Sequence, residues 1–249
     1  LRVNCSGNIW TIAKRELSGT VSSPVAYVFA VIFLLLSSFF TFMIGGFFER
    51  GQASLVSFFG WHPWLYLFLV PAVGMRMWAE ERRSGTIELL LTLPVTTWQA
   101  IAGKFLAYLI IIAVALLLTF PVWITVNYLG APDNGVIFAG YIGSLLLGAS
   151  YLAVTSFTSA LTRNQVVSFI LAVVICLFLI LCGWPPVLNL LSRVVSQGFV
   201  NLVASFSFMT HFENVQRGVL DLRDIVFFVS VIVFFLFATH AVLRARRAG

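Results

Sequence analysis

Residues 101–126 read IAGKFLAYLIIIAVALLLTFPVWITV. They hold a single charge, Lys104, near the start, and the apolar side chains are continuous rather than alternating. A membrane-crossing helix needs roughly 20 apolar residues in a row. Lipid leaves the backbone only two solutions, the helix and the closed barrel, and barrel strands alternate. This stretch therefore predicts a membrane helix, with Pro121 bending it. Extended from Trp98 to Asn127 it is longer than one crossing needs, so its start is expected along the membrane interface.

The same pattern recurs outward along the chain. Apolar runs at Val25–Phe48, Phe59–Trp78, Ile101–Val126, Val136–Ser159, Val166–Cys182 and Ile225–Leu243 predict six spans and an all-α polytopic fold. Composition agrees: the 249 residues are 60% apolar and 10% charged, with a mean hydropathy of +1.01. Soluble domains run at about 45–50% apolar and about 25% charged. The 25 Phe and 7 Trp suit lipid-facing helices and interfacial belts. The net charge of +6 comes from basic residues scattered between apolar runs. That pattern is a topology signal and not a phosphate-binding stripe, so no nucleic-acid partner is expected. The first run lacks a signal-peptide pattern before it and is expected to be retained.

Lys and Arg set the orientation. With six spans, Arg2, Lys14, Arg15, Arg76, Arg82, Arg83, Lys104, Arg163, Arg244, Arg246 and Arg247 fall on one side. Arg50, Arg193, Arg217 and Arg223 fall on the other, eleven against four. The rule places both termini in the cytoplasm; the membrane itself is expected to be a bacterial inner membrane.

Three segments between the spans carry their own pattern. In 8–20, NIWTIAKRELSGT, Ile9, Ile12, Ala13 and Leu17 share a helical face opposite Lys14, Arg15 and Glu16. This predicts an amphipathic helix on the inner leaflet. In 80–99, EERRSGTIELLLTLPVTTWQ, Gly85 permits a break, Thr86 is a good N-cap, Glu88 suits the first turn and Pro94 ends the helix. A short helix Thr86–Leu93 with Ile87, Leu90 and Leu91 on one face follows. The residues alone suit equally a helix pressed into a partner and one that anchors the loop to lipid. In 184–223, Val187, Leu190, Leu191, Val194, Leu202 and Phe206 fall at helical spacing, and a second apolar piece runs Phe199–Phe212. Neither half is a full span. A re-entrant or interfacial helical pair on the outer face is expected, with an extra pair of spans as the alternative.

Chemistry-bearing residues are few. Glu16, Glu49, Glu80, Glu81, Glu88, Asp133, Glu213, Asp221 and Asp224 all fall outside the expected span interiors. Intramembrane carboxylates mark proton relays and ion-coupled transport, and no phosphate loop of the form GxxxxGK[ST] is present. Uphill transport would need an external motor, whereas a passive channel or scaffold would not. His62, His211 and His240 are dispersed, with His211 and Glu213 on different helix faces, so no metal site or catalytic group is expected. Cys5, Cys176 and Cys182 form no framework and are expected as small packing residues. Gly140, Ser144 and Gly148 line one helix face, where small residues allow close helix packing. Without such a partner they would make a locally thin helix. Ser37, Ser38, Thr41, Asn127, Ser150, Thr155 and Ser156 lie in or beside the spans. They either line a pathway or bond back to their own helices.

The runs KRELSGTVSSPVAYVF, WHPWLYLFLVPAVGMRMWAEERRSGTIELLLTLPVTTWQAIAGKFLA, LTRNQV and ASFSFMTHFENVQRGVLDLRD stand in the order shared by ABC-2-type permeases. The chain resembles that family over nearly its whole length, and in particular its gliding-motility-type permease subunits. EERRSGTIELLLTLP is the more specific of these stretches. The resemblance implies six spans per subunit and two permease subunits around a central pathway. It implies two cytoplasmic ABC ATPase subunits that bind the ATP and Mg, with no cofactor on this chain. The 8–20 segment corresponds to an elbow helix and 184–223 to an outer re-entrant region. Arg82, Arg83, Thr86, Ile87, Glu88, Leu90 and Leu91 fall on the coupling helix and its approach. Arg163 and Asn164 fall within a second, smaller cytoplasmic contact, Thr162–Gln165. A membrane-anchored periplasmic subunit is a further partner of similar systems. The implied function is the permease of an ATP-driven exporter. The alternative is a mechanical or signalling module driven by the same ATPase that acts on a periplasmic partner without solute transport, or a passive channel or scaffold.

Overall fold

A computed structural model describes residues 5–245 except 50, 52, 87–95, 194 and 220. Within the described residues the chain consists of helices joined by turns, with no strand. Helix α1 spans Cys5–Ser22, and α2 Pro24–Phe39 continues into a π turn, Phe40–Ile44. Then come α3 Val56–Gly60, α4 His62–Gly74 and α5 Arg76–Ser84. Next are α6 Thr97–Leu117, α7 Phe120–Leu129, α8 Asn134–Leu161 and α9 Gln165–Leu181. The last four are α10 Pro185–Leu191, α11 Gln197–Ala204, α12 Phe208–Gln216 and α13 Leu222–Ala245.

Local chemistry starts these helices. Ser23 accepts a hydrogen bond from Val25 N and Pro24 opens α2. Thr96 and Gln99 form a reciprocal capping box at the head of α6, at 3.3 and 3.0 Å. Asp133 caps α8 through Gly135 N at 2.8 Å, and Asn164 caps α9 through Val166 N at 2.9 Å. Each cap satisfies backbone donors that the helix itself leaves open.

Among the described residues, four helical stretches are long and apolar enough to cross a membrane: Pro24–Ile44, Thr97–Leu129, Asn134–Leu161 and Leu222–Ala245. A fifth is available if α9 and α10, bent by 68°, count as one crossing. The chain is an all-α polytopic membrane protein. The second expected span, Phe59–Trp78, is divided. The helix breaks at Met75, leaving α4 with 13 residues. At 1.5 Å per residue that is about 20 Å, short of the roughly 30 Å hydrocarbon core. The expected bend at Pro121 is a turn at Leu118–Thr119 with the proline at the start of α7. The expected amphipathic run 187–206 is two helices. They part at Ser192, Arg193, Val195 and Ser196, and Ser205–Ser207 then separates α11 from α12.

Helix α8 is the hub. It packs on α4, α5, α6, α9, α12 and α13. It is buried on nearly every side, as a helix apolar all round requires. Helix α4 is equally enclosed. Helices α2 and α13 instead expose Val28, Ile32 and Leu35, and Val226, Val233 and Phe237. Those are lipid-facing rows. Because lipid is as apolar as leucine, close packing and interhelical hydrogen bonds, not burial from water, hold such a bundle together.

Candidate coupling end and the hub helix

The most charged part of the bundle lies where α5 leaves it. Lys104, in the second turn of α6, is almost fully buried. Its Nζ stands 3.1 Å from Glu16 of α1 and 2.8 Å from Glu81 of α5, and 5.2 Å from the centre of the Trp78 ring. One cation thus joins three helices. An ammonium taken out of water demands such partners. Helix α1 comes close because Gly103 has no side chain. A Cβ there would stand 2.8 Å from Ile12 Cγ2. The apolar face of α1 is accordingly turned toward α6 rather than given wholly to lipid, with Ala13 buried and Trp10 exposed.

Helix α5 is also pinned to the end of α8. Ser159 Oγ accepts from the backbone N–H of Trp78 and of Ala79, each at 3.0 Å, and donates to Met75 O at 2.8 Å. Trp78 Nε1 donates to Ser156 Oγ at 3.1 Å. Arg82 Nη1 donates to Ala160 O at 2.5 Å. The break at Met75 is thus where α5 becomes tied to α8. Gly85, with φ of 73°, ends α5 in the left-handed conformation that suits glycine.

The expected coupling residues fall as follows. Arg82 is buried against α8, whereas Arg83 and Thr86 are exposed. Thr86 Oγ1 lies 2.9 Å from Ser84 Oγ. Ile87, Glu88, Leu90 and Leu91 lie outside the described residues. Arg163 and Asn164 are exposed in the α8–α9 turn, three and four residues beyond Ala160. Arg82 therefore links the approach to the 86–93 segment with the approach to that turn.

The opposite half of α8 is tightly packed. A Cβ on Gly140 would overlap the ring of Phe59, and one on Gly148 would stand 3.1 Å from Ile112 Cγ2. Between them Ser144 Oγ lies 2.7 Å from His62 Nδ1. Tyr151 donates its hydroxyl to Pro63 O at 3.0 Å. Further out, His211 Nδ1 lies 2.5 Å from Asp224 Oδ1 and its Nε2 is 3.0 Å from Ser205 O, which ties α12 to the first turn of α13. The Gln216 side chain donates to Val56 O and joins α12 to α3.

Sequence reasoning missed two of these groups. It counted Lys104 only as a topology signal. A lone lysine in an apolar run already signals buried carboxylate partners, but not which ones. It also dismissed His211 on its spacing from Glu213, whereas its partner is Asp224 on the next helix. Of the span hydroxyls, Ser37, Thr41, Ser150 and Thr155 bond to carbonyls of their own helix, while Ser156 accepts from Trp78. Cys176 and Cys182 are free and buried. Among the described residues no three His, Cys, Asp or Glu side chains are grouped to hold a metal.

A polytopic helical bundle with one hub helix, charged and clamped at one end, is the framework of a membrane-embedded subunit. The pattern of the ABC-2 family transporter proteins matches residues 67–247. That is most of the chain, and the chain belongs to the ABC-2 transporter family. It is also 30% identical over 158 residues to the probable ABC transporter permease protein NosY of Pseudomonas aeruginosa. That match covers 58% of this chain and spans little more than half, 57%, of the relative's length.

Proposed function

We propose that this chain is the permease subunit of an ATP-driven exporter in the bacterial inner membrane, driven by a separate cytoplasmic ABC ATPase that holds the ATP and Mg. Family membership supports the class. The observation that carries the coupling role is the clamp on α5. Lys104 ties α5 to α1 and α6, and Ser159 and Ala160 tie it to α8. A push on the expected coupling helix, Thr86–Leu93, would then reach the hub helix without being lost in a hinge. In this account α4 with α5 forms the second of six spans and α9 with α10 the fifth. Helix α1 is the elbow and α10–α12 are the outer re-entrant region. Both termini are cytoplasmic, and two copies of the chain surround the pathway. A membrane-anchored periplasmic subunit would complete the assembly.

Ile87, Leu90 and Leu91 are assigned to the ATPase contact, with Arg83, Thr86, Glu88, Arg163 and Asn164 around it. Arg82 holds that contact to α8. An apolar contact with a charged rim fits a protein interface. The direct test is Leu90→Asp, which would bury a carboxylate without a partner. At matched expression the variant permease should insert normally but recover little of the ATPase in a pull-down. Equal recovery with unchanged transport would move the coupling element elsewhere.

A mechanical module acting on a periplasmic partner is the second reading. One observation favours it: most of the span hydroxyls are already bonded to carbonyls of their own helices. Stimulation of ATP hydrolysis by a transported solute in proteoliposomes would decide for export.

A further inference from the structure

Helix α11 buries a single residue, Val200. At about 100° per residue, the stretch from Gln197 to Phe206 divides around its axis into three sectors. Val200, Val203 and Ala204 form one, buried or half-buried. Gln197, Asn201 and Ser205 form the second, and all three are exposed. Phe199, Leu202 and Phe206 form the third, and they are 49%, 55% and 59% exposed. The first sector faces protein. The other two suit different solvents, one water and one apolar.

The fold fixes the level at which this helix lies. Ser205 O, just past its end, is 3.0 Å from His211 Nε2, and His211 Nδ1 is 2.5 Å from Asp224 Oδ1 in the first turn of α13. One imidazole ring therefore separates the end of α11 from the head of a span. Ser207 Oγ donates to Ile180 O, 3.4 Å away in the last turn of α9. Helix α11 thus ends level with the ends of two apolar helices. The lipid-facing row of α13 begins there, with Leu222 and Val226 exposed, and Phe178 is exposed in the last turn of α9. Asp221 and Arg223 are exposed at the same level. Apolar rows give way to charged groups at the boundary between hydrocarbon and water.

We infer that α11 lies in the plane of the outer leaflet's boundary, with Phe199, Leu202 and Phe206 in the acyl layer and Gln197, Asn201 and Ser205 in water. The occupant of its apolar face is phospholipid. The inference rests on the outward placement of α10–α12 proposed above. A helix dipping into the bilayer would carry the amides of Gln197 and Asn201 into hydrocarbon, at a cost. A helix standing clear of the bilayer would leave three large apolar side chains in water. An in-plane helix at the boundary meets both sectors. Because His211 joins its end to the head of α13, α11 holds that span at a fixed depth.

The test uses the full chain in nanodiscs of phosphatidylcholine and phosphatidylglycerol, with one spin label at a time at Gln197→Cys, Phe199→Cys, Asn201→Cys or Leu202→Cys. All four positions are exposed, so the labels displace no packed side chain. Oxygen, which collects in the acyl layer, should relax the labels at 199 and 202, and a water-soluble nickel chelate should lose its effect on them. The labels at 197 and 201 should show the reverse. Relaxation of all four by the chelate would place the apolar face in water, open to a periplasmic protein, and would overturn the inference. So would protection of all four from the chelate, the mark of a re-entrant helix. Mutual broadening of Leu202→Cys labels from two copies, with oxygen excluded, would show that a second chain covers the face and would overturn it too. Sidedness is read separately with a membrane-impermeant maleimide on Asn201→Cys in oriented vesicles. Reaction from the outside is expected. Reaction from the cytoplasmic side alone would overturn the outward placement, whereas the depth pattern in nanodiscs is the same from either side.

Discussion

The two halves of α8 are held in different ways. Toward its end, polar groups do the work: Ser159 and Ala160 hold α5, and beside them Lys104 joins α1, α5 and α6. Toward its start, shape does most of it: Gly140 and Gly148 admit Phe59, Tyr66 and Ile112 into close contact, with His62 against Ser144. The polar end makes few contacts that are individually strong and directional, suited to transmitting displacement. The packed end makes many weak contacts that resist any change in shape. A helix anchored in the second way and gripped in the first can tilt as one body.

Removing the central cation should have the largest effect. Lys104→Met leaves Glu16 and Glu81 without their shared partner in a buried junction. Losing one member of a buried ion pair costs about 3–5 kcal/mol. The unfolding temperature in detergent should fall steeply, and protease should cut near the α1–α2 junction first. A change no larger than that of a surface substitution would show that water already serves the two carboxylates.

The packed end should respond to added volume. Gly140→Val places methyl groups where the Phe59 ring lies. Overpacking of this kind costs about 1–3 kcal/mol. Phe59→Ala in the same chain should return part of that loss, since the two sites share one contact. Additive losses in the double variant would mean that α3 does not press on α8 at Gly140.

The smallest effect is expected at the one hydrogen bond within the packed end. Ser144→Ala removes the partner of His62. Measured interhelical hydrogen bonds in membranes average about 0.6 kcal/mol. A loss several times larger would mean that this end, too, depends on polar contacts.

What could be read from the sequence follows the range of the forces involved. Caps are local, so Gly85 as a break and the apolar runs of α2, α6, α8, α9 and α13 were legible. The division of α4 from α5 was not. Residues 59–78 read as one apolar run, while the break at Met75 arises where Ser159, far along the chain, binds Met75, Trp78 and Ala79. The division of the 187–206 run was hidden for a different reason. The apolar spacing of 187–206 suits one helix, but Ser196 stands extended ahead of α11, and Ser207 caps α12 through Met209 N. Local backbone preference at those serines overrides the periodicity. Lys104 was visible as an oddity, yet its partners on α1 and α5 are set only by the fold. The same holds for His211 and Asp224.

The central claim is that α5 and the end of α8 move as one body, so that the segment that follows α5 and the 162–164 turn are displaced together. Ser84 and Arg163 are both exposed, on either side of the Arg82–Ala160 contact. Spin labels at Ser84→Cys and Arg163→Cys report their separation directly in the complex with the proposed ATPase. The account predicts one narrow distance distribution, unchanged between nucleotide-free and ATP-trapped states, and broadened when Arg82→Ala is added. Two distances that interchange with nucleotide in the otherwise native protein would contradict it.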